Sequence, residues 1–104
     1  MSAEEAFREV DALRKTIDDL VAVGRAALKQ AEQAELAAHQ LVDFEAASWQ
    51  TCSEGIALRA GKLLFEASQY RREATLNFQH ADELRAAVQV ELRRLREAAK
   101  ASAT

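Results

Sequence analysis

The feature that most constrains the fold is an unbroken heptad repeat of apolar and small residues in the first half of the chain. The spacing alternates between four and three at Ala6, Val10, Leu13, Ile17, Leu20, Gly24, Ala27, Ala31, Ala34, Ala38 and Leu41. With Val10 as heptad position a, these residues occupy positions a and d, which face the partner in a coiled coil. The repeat predicts one long amphipathic helix, and the absence of proline favours it.

A second series with the same spacing follows Gly55. Its members are Ile56, Ala60, Leu63, Ala67, Tyr70, Ala74, Asn77, Ala81, Leu84, Val88, Glu91, Leu95 and Ala98. Only Asn77 and Glu91 interrupt its apolar character, and a polar residue at a core position often sets register or oligomeric state. The second half of the chain therefore also predicts a long helix.

Two capping-box patterns mark the predicted helix starts. Ser2 is followed by Glu5, and Thr51 is followed by Glu54, which is the spacing at which a hydroxyl and a carboxylate cap the first turn. We predict a single domain of residues 1–104, with helix one at about 3–48, a turn at about 49–53 and helix two at about 54–100.

Two helices joined by a short turn fold back on each other in antiparallel directions. Folding the sequence between residues 50 and 51 places every a position opposite a d position, as antiparallel packing requires. In this register the small Gly24 lies opposite the polar Asn77. We predict an all-α fold, an antiparallel two-helix hairpin that is coiled-coil-like and has an Ala-rich seam.

The heptad e positions beside the seam are also mostly apolar. An Ala-lined seam buries little apolar area, and three apolar positions per heptad are typical of a helix in a bundle. We predict that two hairpins complete a four-helix bundle by dimerisation; the alternative is a different helical partner. The predicted interface comprises Phe7, Val21, Leu28, Val42, Trp49, Leu64, Phe65, Phe78 and Leu92.

The same register predicts which e side chains are neighbours. Phe7 lies beside Leu92, and Val21 lies beside Phe78. Arg14 and Arg85 also fall side by side, which is either a local electrostatic cost or a place where a second chain supplies carboxylates.

No residue pattern indicates catalysis. His39 and His80 are the only histidines, and the predicted register separates them by roughly 27 Å at 1.5 Å per residue. Cys52 is the only cysteine, and neither histidine lies near it to act as a base. The chain also lacks a glycine-rich phosphate loop and zinc-ligand spacing. We predict no enzyme activity, no metal and no cofactor.

Charge and hydropathy limit the partners further. The net charge is −3, whereas nucleic-acid binders usually present a basic face, so we predict no nucleic-acid partner. The basic run at residues 92–100 is typical of a helix C-terminus, where cations meet the negative end of the dipole. No apolar stretch approaches the ~18–20 residues of a membrane span, and no signal peptide is visible. We expect a cytoplasmic protein; the alternative is secretion without a cleavable signal peptide.

The middle of the chain carries the only tryptophan, Trp49, which either seals the core at the predicted turn or anchors a partner. A chain of 104 residues, a hairpin with Trp49 near its turn and the later "LLFEA" resemble the Trp-X-Gly family of type VII secretion substrates. That resemblance implies a small secreted helical-hairpin protein. The tripeptide here reads Trp49-Gln50-Thr51 without the glycine, and the tail "EAAKASAT" lacks a tyrosine followed by an acidic residue.

The leading functional hypothesis is a non-enzymatic structural or interaction module. Small helical hairpins of this kind occur among bacterial secretion accessory proteins, phage components and export chaperones. We therefore expect a subunit, adaptor or chaperone in a larger assembly. The secreted hairpin is the alternative, and a regulatory nucleic-acid binder is the third and weakest hypothesis.

Overall fold

The computed structural model describes residues 2–45 and 53–103, without the side chains of Phe44 and Glu45. Two long helices make up this part of the chain. Helix α1 spans Ala3–Glu45 and helix α2 spans Glu54–Ala103, and no strand occurs among the described residues. The predicted all-α class with two long helices is confirmed. The predicted turn lies outside the described residues, except for Ser53.

Serine hydroxyls cap both helices. The backbone N–H of Glu5 donates to Ser2 Oγ at 3.2 Å, as the first capping box predicts. At the start of α2 the N–H of Ile56 donates to Ser53 Oγ at 3.3 Å, and the N–H of Ala57 donates to the Ser53 carbonyl at 2.9 Å. The cap of α2 is therefore Ser53, directly before the first helical residue Glu54, and Thr51 of the predicted capping box lies outside the described residues.

Helix α2 also ends later than predicted, at Ala103 instead of about residue 100. The sequence after Lys100 is Ala-Ser-Ala-Thr, which contains neither glycine nor proline to stop the helix. The cationic Lys100 lies in the last turn, where it suits the negative end of the helix dipole.

The described residues group into two compact units, one at the chain ends and one in the middle. The terminal unit contains the residues up to Val23 and those from Asn77 onward. Its core consists of Val10, Ile17, Ala81 and Val88, and the partly buried Leu13, Leu20, Val21, Leu84 and Leu92 pack against it. Its two helix segments are antiparallel, because low residue numbers on α1 meet high numbers on α2.

The central unit spans Gly24–Leu76. Its core cluster consists of Ala38, Val42 and Ala60, with Leu41, Leu63 and Leu64 packed against it. Further buried positions along its two helix segments are Gly24, Ala27, Ala31, Ile56, Ala67 and Ala74. Here the segments are antiparallel as well, and most of the buried residues are alanine or glycine.

Heptad position a is more deeply buried than position d, although the sequence pattern predicts that both face the opposite helix. Position a is buried throughout both series from residue 10 to residue 88, whereas the larger d residues are only half-buried. Several e residues are half-buried on the other side of a. Because alanine and glycine at a let the backbones approach closely, the longer d and e side chains lie over the two edges of the contact.

Candidate interaction surfaces

The predicted interface residues divide into three groups by burial. Half-buried within this chain are Val21, Leu28, Leu64, Phe78 and Leu92. Val42 is 2% exposed and packs against Ala38 and Ala60, so it belongs to the core and not to an interface. Phe7 and Phe65 are exposed. Trp49 lies outside the described residues, as do Cys52 and the predicted turn.

In the terminal unit, Phe7 and Leu92 line one apolar groove, as the predicted register requires. The groove has a volume of about 470 Å³. Its remaining lining residues are Ala3, Leu95, Arg96, Ala98, Ala99 and Ser102. Phe7 is 52% exposed in this groove. A phenylalanine in a protein core would instead have its large apolar side chain buried.

A second groove of the terminal unit contains the predicted arginine pair. Arg14 and Arg85 line a volume of about 330 Å³ together with Asp18 and Gln89, above the apolar Ile17 and Val88. Arg85 Nη1 donates to Asp82 Oδ1 on its own helix at 2.8 Å. Since both arginines are exposed, water screens their mutual repulsion.

The central unit presents an apolar concavity on the outer side of α2, with a volume of about 520 Å³. Its lining residues are Ala57, Leu58, Gly61, Lys62, Phe65 and Glu66. Leu58 is 62% exposed and Phe65 is 64% exposed. We refer to these six residues as the Gly61 face. Phe65 is one of the interface residues that the sequence predicts, whereas Leu58 and Gly61 are not among them.

An ion pair between Arg71 and Glu35 connects the two helices within the central unit. Arg71 Nε donates to Glu35 Oε1 at 2.5 Å. This hydrogen bond, more than the nearby positive charges of Arg71 and His39, lowers the pKa of the Glu35 carboxyl, and the same bond raises the pKa of Arg71. Glu35 and Arg71 both occupy heptad e positions, and their opposite charges were the signal in the sequence that could have paired them.

The described His, Asp and Glu side chains do not cluster into a metal site. Within residues 2–45 and 53–103, no group of three or more His, Cys, Asp or Glu side chains lies close enough together to hold a metal ion. His39 and His80 are both exposed on their helices. The same described residues include no helix that is both long and apolar enough to span a membrane.

Comparisons with known protein families, with curated proteins and with solved structures found no match to this chain. The Trp-X-Gly resemblance depends on Trp49, which lies outside the described residues.

Proposed function

We propose that the protein is a non-enzymatic interaction module, a small helical hairpin that self-associates and serves as a subunit, adaptor or chaperone in a larger assembly. One observation carries the proposal: every leucine of the chain is half-buried or exposed. Leucine is among the residues most often fully buried in folded domains, so its systematic exposure here indicates an unfinished core.

The buried positions show what is missing. Most buried apolar residues are alanines, and among the described residues the largest fully buried side chains are only Val10 and Val42. Fully burying a leucine or phenylalanine side chain stabilises a fold by about 1.5–3 kcal/mol, whereas an alanine contributes much less. A partner that covers the half-buried side chains supplies the remaining stabilisation.

Exposed apolar side chains support the same proposal. Those exposed by about half or more are Phe7, Val23, Leu36, Leu58, Phe65, Leu76 and Val90. Single exposed apolar residues are normal on protein surfaces. Leu58 and Phe65, however, share one concavity, and Phe7 shares another with Leu92 and Leu95. Clusters of this kind are typical of protein-interaction surfaces.

The test is the mass of the 104-residue chain in solution, measured by sedimentation velocity and light scattering over a wide concentration range. We expect a multiple of 11.5 kDa. We also expect the melting temperature to rise with protein concentration, because association stabilises the folded state by mass action. A mass of 11.5 kDa, that of one chain, at every concentration would contradict self-association, and so would a melting temperature that does not change with concentration.

A further inference from the structure

We propose that the Gly61 face of α2 pairs with the same face of a second copy, across a two-fold axis with the two α2 helices antiparallel. This inference rests on the proposed self-association and assigns to it a surface of exposed residues, in addition to the half-buried side chains discussed above. In such an isologous contact, residue i of one copy touches residue j of the other and the reverse also holds. The surface must therefore carry both halves of every complementary feature.

The first feature is a notch at Gly61. A Cβ atom added to Gly61 would have no heavy atom of the described residues within 4 Å, so packing within the described part of the chain does not require a glycine there. A glycine in a helix interior nevertheless destabilises the helix relative to alanine. Glycine is favoured where another backbone or side chain approaches closely, and none of the described residues makes such an approach at Gly61.

The second feature is the protrusion that fits the notch. Phe65 lies one helical turn after Gly61 and Leu58 lies just under one turn before it, so all three share a side of α2. In an antiparallel copy, Phe65 of each chain enters the notch above Gly61 of the other. One symmetry operation thereby covers the most exposed phenylalanine of the described residues on both chains.

The charges on this face obey the same symmetry. Lys62 and Glu66 both line the concavity and are also four residues apart. Neither makes an ion pair with any residue of the described part of the chain. An antiparallel copy brings Lys62 against the partner's Glu66, and Glu66 against the partner's Lys62. A second copy satisfies both pairs at once, whereas nothing on this face requires a different partner.

The first experiment uses the notch. Gly61→Ala should raise helix stability, because alanine favours helix and its Cβ meets no neighbour, and we expect the melting temperature of the dilute protein to rise by several degrees. The same substitution should weaken self-association at least about tenfold, because the Cβ fills the space that Phe65 of the other copy occupies. Gly55→Ala is the matched control: its site is equally open but lies outside the Gly61 face, so association should be unchanged.

The second experiment tests the identity of the partner by charge reversal. Lys62→Glu places two like charges on the face, as does Glu66→Lys, and at low ionic strength each variant alone should self-associate about tenfold more weakly than the wild type. Mixing the two variants restores both opposite-charge pairs. We therefore expect the mixture to form a heterodimer of near wild-type affinity, measured by sedimentation with one variant fluorescently labelled.

The outcomes separate this inference from the proposed function. If the wild type associates but Gly61→Ala and both charge variants associate equally well, the Gly61 face is not the interface and self-association stands. Charge variants that weaken association without rescue in the mixture would overturn the two-fold pairing. A wild type that is a single chain at every concentration overturns both.

Discussion

Replacing Ala60 with leucine tests whether the small residues at position a set the distance between the helices. Ala60 is 0% exposed and packs against Ala38 and Val42 in the core of the central unit. The substitution adds three carbon atoms at a point where the facing residues are already in contact. Because leucine and alanine have similar helix propensities, the change acts on packing and hardly on the helix itself.

Two opposing effects set the magnitude. If the added carbons were buried without strain, they would stabilise the fold by about 2.4 kcal/mol, at about 0.8 kcal/mol per CH₂ group. The site has no room for them, and overpacking of a filled core costs about 1–3 kcal/mol in net stability. Ala60 packs directly against Ala38 and Val42 and is 0% exposed. We therefore expect the steric strain to exceed the gain from burying the added carbons, so that Ala60→Leu destabilises the protein.

Urea unfolding followed by circular dichroism measures this effect. With a denaturant dependence of about 1–3 kcal/mol per M for a small protein, a loss of about 2 kcal/mol lowers the unfolding midpoint by about 1 M. The experiment is repeated at two protein concentrations, so that a change in self-association is distinguished from a change within the chain.

The matched control is Ala26→Leu, at an exposed alanine of α1 in the same unit. A surface substitution of this type should change stability by less than about 0.5 kcal/mol. If Ala60→Leu behaves like Ala26→Leu, or stabilises the protein, then the helices are not in close contact at position a and the packing argument is wrong.

Two further predictions concern polar groups. Ser53→Ala should destabilise α2 by about 1 kcal/mol in urea unfolding because it removes the N-cap hydroxyl, whereas Ser68→Ala, at an exposed mid-helix serine, should have little effect; equal effects would contradict the cap assignment. The Arg71 hydrogen bond lowers the pKa of Glu35 in the folded protein, so the pair stabilises the fold fully at pH values above the ordinary glutamate pKa. That stabilisation is lost as the pH falls through the lowered pKa. Arg71→Gln should raise the Glu35 midpoint in an NMR pH titration, and an unchanged midpoint would show that the ion pair does not form in solution.

Much of the candidate surface could be anticipated from residue spacing. Phe65 and Leu58 fall off the heptad seam, and both are exposed. Phe7 and Leu92 share a groove, as the register predicts. Gly61 was not anticipated, because a glycine in a helix pattern predicts only a local cost in stability. Its meaning depends on whether its missing side chain would meet a neighbour, which is a property of the folded surface.

The helices themselves were determined by the sequence alone. Heptad spacing, the Ser2 capping box and the absence of proline act within a few turns of one helix, so they can be interpreted without knowing what the helix contacts. The small residues at position a likewise indicate close approach. These properties established two long helices with an Ala-rich contact surface.

Only the tertiary structure decided how each helix is rotated about its own axis. Rotation depends on the volumes of the residues on both sides of the contact, and those volumes are set jointly by two distant segments. The rotation of the helices places Val42 in the core instead of at an interface and brings Glu35 into contact with Arg71. It also leaves Phe65 exposed beside the open notch at Gly61. A heptad pattern predicts which residues face the opposite helix. How deeply each of them is buried depends on the volumes of the side chains that it meets there.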